Sequence, residues 1–157
     1  MKLTDHKNSK KQGDAGLGIA IGWFTEQGYT VCIPLTDSQD YDLVIDIQGR
    51  LQKVQVKTAT RYRYGGWVSD LRVKGGNKSG TGKTKVFDPT QIDLLFIITG
   101  DRTLYLIPSV SVQGQATISL GSKYTEFKVT HFQGNPLPMK LKKPAPVTPA
   151  PKEREDS

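Results

Sequence analysis

The stretch GGNKSGTGKTKVFDP, Gly75 to Pro89, carries the glycines and lysines of a phosphate-binding loop. A nucleotide-binding loop has a Gly, four residues and then Gly-Lys-Ser/Thr, so that backbone N–H groups curl around the phosphates and Lys reaches the outermost ones. Gly82-Lys83-Thr84 supplies that ending, but Asn77 stands five positions before Gly82 and Gly76 lies one residue too far back. The preceding DLRVK is short and charged, and Pro89 would close a helix opening at Lys83 within two turns. A nucleotide cofactor is therefore not expected. The lysines are read instead as partners for the phosphates of a nucleic-acid backbone.

A second set of polar groups lies upstream in YDLVIDIQGRLQKVQVKT. Two alternating runs joined at Gly49-Arg50 give the pattern of a β-hairpin. Period two places Leu43, Ile45 and Ile47 on one face and Asp42, Val44 and Asp46 on the other. In the returning run Val54 and Val56 share one face, and Lys53, Gln55 and Lys57 share the opposite one. A carboxylate, a carboxamide and an ammonium are thus gathered on one side of a sheet. An ordinary solvated hairpin face gives the same alternation, and Asp46 and Lys53 are assigned to it.

The elements around this hairpin follow from local signals. Asp14 is read as the N-cap of a helix over AGLGIAIGWFTEQ that ends at Gly28, with Leu17, Ile21 and Phe24 as its apolar stripe and Ala20 beside them. YTVCIPL reads as a strand. DLLFIITG is an apolar run suited to a buried central strand, and TLYLIP follows across a Gly100-Asp101 turn. ATISL and EFKVTHF are expected as edge strands. The expected organisation is a flexible arm over 1–12, one domain over 13–132 with an insertion at 58–86, and a Pro- and charge-rich disordered tail over 133–157.

A chain of 157 residues suits a single domain with its own core. The formal net charge of +7 and a pI near 9.5 favour a polyanionic partner. The single cysteine, Cys32, excludes an internal disulfide framework, and His6 and His131 are too few for a Cys/His zinc site, so any metal would sit on carboxylates. No apolar signal core and no bilayer-length apolar run are present, which points to a soluble, cytoplasmic protein with no membrane partner.

A helix, a strand, then a hairpin with Asp42 opening its first strand and Gln55-x-Lys57 in its second: this order resembles the PD-(D/E)xK nuclease superfamily. Over KQGDAGLGIAIGWFTEQGYTVCIPLTDSQDYDLVIDIQGRLQKVQVKTAT the chain is similar to intron-encoded homing endonucleases of cyanobacterial type within it. The resemblance implies an α/β, restriction-endonuclease-like core, a mixed β-sheet flanked by helices, with an inserted basic β-ribbon. It implies sequence-specific, metal-dependent hydrolysis of double-stranded DNA. On it, Asp42 is the principal ligand of Mg2+ or Mn2+, and the Gln55 amide oxygen and the Val56 backbone carbonyl are further ligands. Lys57 orients the attacking water or stabilises charge on the phosphate. Gln55 stands where the family usually has Asp or Glu, so weaker metal binding is expected.

Related sequences open the helix with Gly-Asp-x-Gly-Glu, where this chain has Gly13-Asp14-Ala15-Gly16-Leu17. Leu17 therefore occupies an active-site Glu position. Glu26 cannot replace it, because nine helical residues turn it to the opposite face and carry it about 13 Å away. Either reduced cleavage or a loss of catalysis is expected. A non-catalytic, sequence-specific DNA-binding protein and a Holliday-junction resolvase on the same core are the alternatives.

In the insertion, Arg61, Arg63, Arg72, Lys74, Lys78, Lys83 and Lys85 are interleaved with Tyr62, Tyr64 and Trp67, and Asp70 is the one acid. The alternation in TRYRYGGWVSDLRVK predicts a two-stranded ribbon able to enter the major groove, with Arg reading guanine edges and Lys78, Lys83 and Lys85 on phosphates. The three aromatic residues fit either DNA contacts or the ribbon's own core. One such site cuts one strand, so a double-strand break requires at least two subunits. The resemblance favours a tetramer over a dimer, and the Gly18/Gly22 face is a candidate contact.

Overall fold

The computed structural model describes residues 3, 8–36, 38–74, 84–86 and 88–129, with the backbone alone at 73, 74, 84 and 85. Helix α1 spans Ser9–Glu26. Its N-cap is Asn8, whose side-chain oxygen accepts from the N–H groups of Lys10 (2.9 Å) and Lys11 (3.4 Å). Asp14, expected to cap, lies inside the helix instead. The good helix formers Lys10, Lys11 and Gln12 let an earlier acceptor start it. Residues 9–12 thus belong to the helix and not to an arm, and Leu3 is buried against the same core.

A six-stranded sheet forms the centre. It comprises β1 (Thr30–Cys32), β2 (Leu43–Ile47), β3 (Arg50–Ala59), β8 (Leu94–Thr99), β9 (Leu104–Pro108) and β11 (Lys128–Val129), in that spatial order. β3 and β8 run parallel and every other pair is antiparallel, so the sheet is mixed. The β2–β3 connection is Gln48-Gly49, with positive φ at both residues, and Arg50 already pairs with Ile47. The turn therefore sits one residue earlier than Gly49-Arg50. Asp46 accepts the Gly49 N–H at 2.7 Å, which gives this half-buried acid a turn-closing role.

Between β3 and β8 lie β4 (Arg61–Arg63), β5 (Gly66–Asp70), β6 (Val73–Lys74) and β7 (Thr84–Lys85). β4, β5 and β10 (Thr117–Leu120) make a separate three-stranded sheet, while β6 and β7 pair with each other.

All six residues of β8 are buried, because both faces of the main sheet are covered. On one face Ala20, Trp23 and Phe24 of α1 pack on Leu43, Val54, Val56, Leu94, Phe96 and Ile98. Trp23, Phe24 and Phe96 meet as tilted and edge-on rings 5.0–5.4 Å apart. The other face, Ala59, Leu95, Ile97, Tyr105 and Ile107, is covered by Leu71, Val112, Ile118, Leu120 and Tyr124. Ile118 and Leu120 come from the small sheet, Leu71 from the residue after β5, and Val112 and Tyr124 from 3-10 turns at Ser109–Val112 and Ser122–Phe127, so that flank is not an α-helix. The restriction-endonuclease-like core is present, with its second layer built from strands. No helix among the described residues is long and apolar enough to cross a membrane.

Candidate active site

Asp42 stands at the entry to β2, where its N–H donates to the Val54 carbonyl at 2.9 Å. Its side chain then takes over the ladder: the Val56 N–H donates to Asp42 Oδ2 at 2.8 Å. Gln55 is buried and donates from Nε2 to the same Oδ2 at 2.6 Å and to the Val56 carbonyl at 3.3 Å. The amide orientation is fixed by these partners, since the reverse would set its oxygen against two acceptor oxygens. Asp42, Gln55 and Val56 are thus one hydrogen-bonded cluster.

Burial raises the Asp42 pKa above the ordinary carboxylate value, and the Val56 N–H, the Lys57 charge and the Gln55 amide offset part of that rise. The Asp42 carboxylate and the Val56 carbonyl are hard oxygen donors of the type that suits a small divalent cation, and the Gln55 amide, whose Nε2 now bridges them, adds its oxygen to that set only by turning over. No group of three or more His, Cys, Asp or Glu side chains comes together among the described residues. Of the cluster's three residues Asp42 alone is a carboxylate, and the oxygens of Gln55 and Val56 are neutral.

Lys57, two residues beyond Gln55 on the same face of β3, donates from Nζ to the Arg72 carbonyl at 3.0 Å. Arg72 is held by Asp70, which accepts from its backbone N–H (3.0 Å), Nε (2.9 Å) and Nη2 (2.8 Å). The Arg72 guanidinium in turn depresses the Asp70 pKa. Sequence alone marked Asp70 only as the one acid of a basic segment; its spacing of two from Arg72 was the signal for a pair.

Leu17 is half-buried and packs into the α1-side core. Gln55 and Lys57 alternate with Val54 and Val56, and so leave β3 on the opposite face. At this helix position the chain offers no polar atom.

The expected ribbon exists in altered form. β4 and β5 are a hairpin with the two-residue loop Tyr64-Gly65, both at positive φ, but β10 adds a third strand along β5. Arg61, Arg63 and Arg72 are exposed. Trp67 packs against the core of the second face, and Tyr62 meets it edge-on at 5.3 Å, so these two rings join the hairpin to the body. Tyr64 stands apart at the tip, 98% exposed. Lys74 and Lys85 lie on β6 and β7, and Lys78 and Lys83 fall outside the described residues. Thr84 continues from the glycine-rich stretch into a strand, where a nucleotide loop would open a helix.

Comparisons with known proteins agree with this geometry. Residues 7–132 match the profile of the PD-(D/E)XK endonuclease family. "Protein 5.3" of Escherichia phage T7 is 29% identical over 107 residues, covering 68% of this chain and 85% of that protein. The solved structure of a bacterial homing endonuclease, I-Ssp6803I, superposes with a TM-score of 0.60 at 28% identity, covering 72% of this chain and 78% of that one. The profile extends from the start of α1 through β11 and so includes the hairpin with Asp42, Gln55 and Lys57. The chain belongs to the PD-(D/E)XK endonuclease family.

Proposed function

We propose that the protein is a sequence-specific, metal-dependent endonuclease of the homing type, acting on double-stranded DNA. The observation that carries this reading is the bonded cluster of Asp42, Gln55 and Val56 with Lys57 on the same face of β3. Asp42, the Val56 carbonyl and, once its amide turns over from the bonds that Nε2 now makes, the oxygen of Gln55 would hold Mg2+ or Mn2+. When bound, that cation supplies charge neutralisation at the scissile phosphate and lowers the pKa of water. Lys57 carries a positive charge to the same side, where it can hold a phosphate oxygen or orient water for attack. Arg61 and Arg63 on β4 and Arg72 after β5 form the DNA-binding set, joined by Lys74, Lys78, Lys83 and Lys85. Tyr64 extends it at the hairpin tip.

One cluster hydrolyses one strand, so the working form is a homo-oligomer, a tetramer in preference to a dimer, in the cytoplasm. The nuclease domain runs over 13–132 together with the first turn of α1. A second reading, a DNA-binding protein without catalysis, is favoured by Leu17, which leaves Asp42 as the one carboxylate in its cluster with Gln55 and Val56.

The test incubates this chain and its Leu17→Glu form with fragmented genomic DNA and magnesium or manganese, then sequences new ends. Recurrent ends from either form support the nuclease, and recurrent ends from the Glu form alone identify Leu17 as a lost catalytic position. Sequence-specific retention with no ends from either form leaves the binding protein.

A further inference from the structure

We infer that Asp70 and Arg72 are positioning residues for Lys57, joining the basic hairpin to the lysine beside Asp42. This rests on the role proposed for Lys57 above. A lysine side chain has four carbons of flexible stem and a compact charge, so its ammonium is useful only where a fixed acceptor holds it. The Arg72 carbonyl, 3.0 Å from Nζ, is such an acceptor. What fixes that carbonyl is Asp70, whose carboxylate binds the Arg72 N–H and both reachable guanidinium nitrogens.

The base of this bracket is built into the small sheet. Ser69 and Leu71, on either side of Asp70, are buried, and Asp70 itself pairs with Thr117 of β10. The Leu71 N–H donates to the Ala116 carbonyl at 2.9 Å. Asp70 is also the one acid between residues 58 and 86, where a negative charge works against phosphate binding. Its three bonds to Arg72 give it a role other than contact with DNA. The Lys57 charge lowers the pKa of both Asp70 and Asp42.

The test uses the full chain labelled with 15N and 13C in lysine. The Lys57 side-chain signal is assigned by its loss in Lys57→Met. In the unsubstituted protein, relaxation at the Lys57 Cε should show restricted motion beside the exposed Lys10 and Lys11; motion equal to theirs would overturn the proposal without any further variant. Asp70→Ala should loosen Lys57 measurably relative to the unsubstituted protein, and Asp70→Asn, which keeps an acceptor for the Arg72 N–H, should retain most of the restriction. Arg72→Ala keeps its carbonyl and N–H, so Lys57 should stay restricted while binding of a mixed-sequence duplex weakens several-fold. Unchanged Lys57 dynamics in a folded Asp70→Ala would reject the bracket.

Cleavage separates this proposal from the one beneath it. In a cutting protein, Asp70→Ala should lower the single-turnover rate at least tenfold without weakening duplex affinity. A restricted Lys57 that loosens in Asp70→Ala, in a protein that cuts nothing, supports the bracket and removes the nuclease reading. A mobile Lys57 in a cutting protein does the reverse.

Discussion

A side chain placed on Gly16 would set its Cβ 2.6 Å from Thr58 Cγ2, so α1 meets β3 at a point where only hydrogen fits. β3 is the strand that carries Gln55 and Lys57, and the depth of this contact fixes how closely the helix lies on it. Gly16→Ala gains about 1 kcal/mol of helix propensity. The overlap forces the helix or Thr58 to move, at a cost of about 1–3 kcal/mol. The expected net result is a lower melting temperature. At Gly18 and Gly22 an added methyl would meet nothing within 4 Å. Alanine there should stabilise by up to about 1 kcal/mol each. Denaturant unfolding of the three variants checks the order, and a change of oligomeric state in Gly22→Ala would place that face between copies.

Asp42 should lower stability when ionised. Its folded-state pKa is raised, chiefly by burial, so the folded protein binds a proton more readily than the unfolded chain. The penalty is full at neutral pH and is relieved as pH falls through the raised folded value. Below the unfolded value, about 3.9, both states are protonated and the contribution vanishes. Asp42→Asn keeps an oxygen for the Val56 and Gln55 donors. In chelator at neutral pH it should melt higher than the parent, with the gap closing on acidification. A gap that widens towards acid would reject this assignment.

Particular residues show what was legible in the sequence. The hairpin was, because Leu43, Ile45 and Ile47 alternate with polar neighbours, and that alternation already placed Asp42 and Gln55 on one side. β8 was legible as a continuous apolar run. The face of α1 was legible in part: Phe24 and Ala20 are buried as expected and Leu17 and Ile21 pack half-buried on the same core, but Gly16 and Trp23 also belong to the buried set. Close approach to β3 selects small residues there, and a periodicity that seeks bulk cannot register them. The pairing of β5 with β10 joins distant segments, and the bond from Lys57 to the Arg72 carbonyl depends on a turn, so neither has a local signature.

Gln55→Glu should trade stability for metal binding. The Gln55 amide now places a donor between Asp42 Oδ2 and the Val56 carbonyl, where a cation would otherwise satisfy those oxygens. A carboxylate would remove the donor and add a second negative charge beside a buried first one. A loss of about 1–3 kcal/mol is expected in chelator, the penalty of leaving buried polar groups unpaired. Manganese or magnesium should restore that loss, with tighter binding by calorimetry than in the parent. Equal melting of the two proteins in chelator would mean that the amide does not hold the cluster together.

Tyr64 offers the sharpest contrast between stability and DNA binding. It occupies the first position of a two-residue hairpin loop at φ 51°, followed by Gly65 at φ 78°. Such loops favour Asn-Gly, and a bulky residue at positive φ is uncommon. Tyr64→Asn should therefore stabilise the protein by about 0.5–1 kcal/mol, on the scale of other unstrained turn replacements. If the exposed ring meets DNA, the same substitution weakens duplex binding several-fold, whereas Arg61→Ala and Arg63→Ala each reduce the salt slope of binding by about 1. The two kinds of change separate by salt: loss of the ring lowers affinity equally at every salt concentration, and loss of an arginine lowers it most where salt is low. A more stable Tyr64→Asn with undiminished affinity would place the hairpin tip outside the interface and leave Arg61 and Arg63 as its contacts.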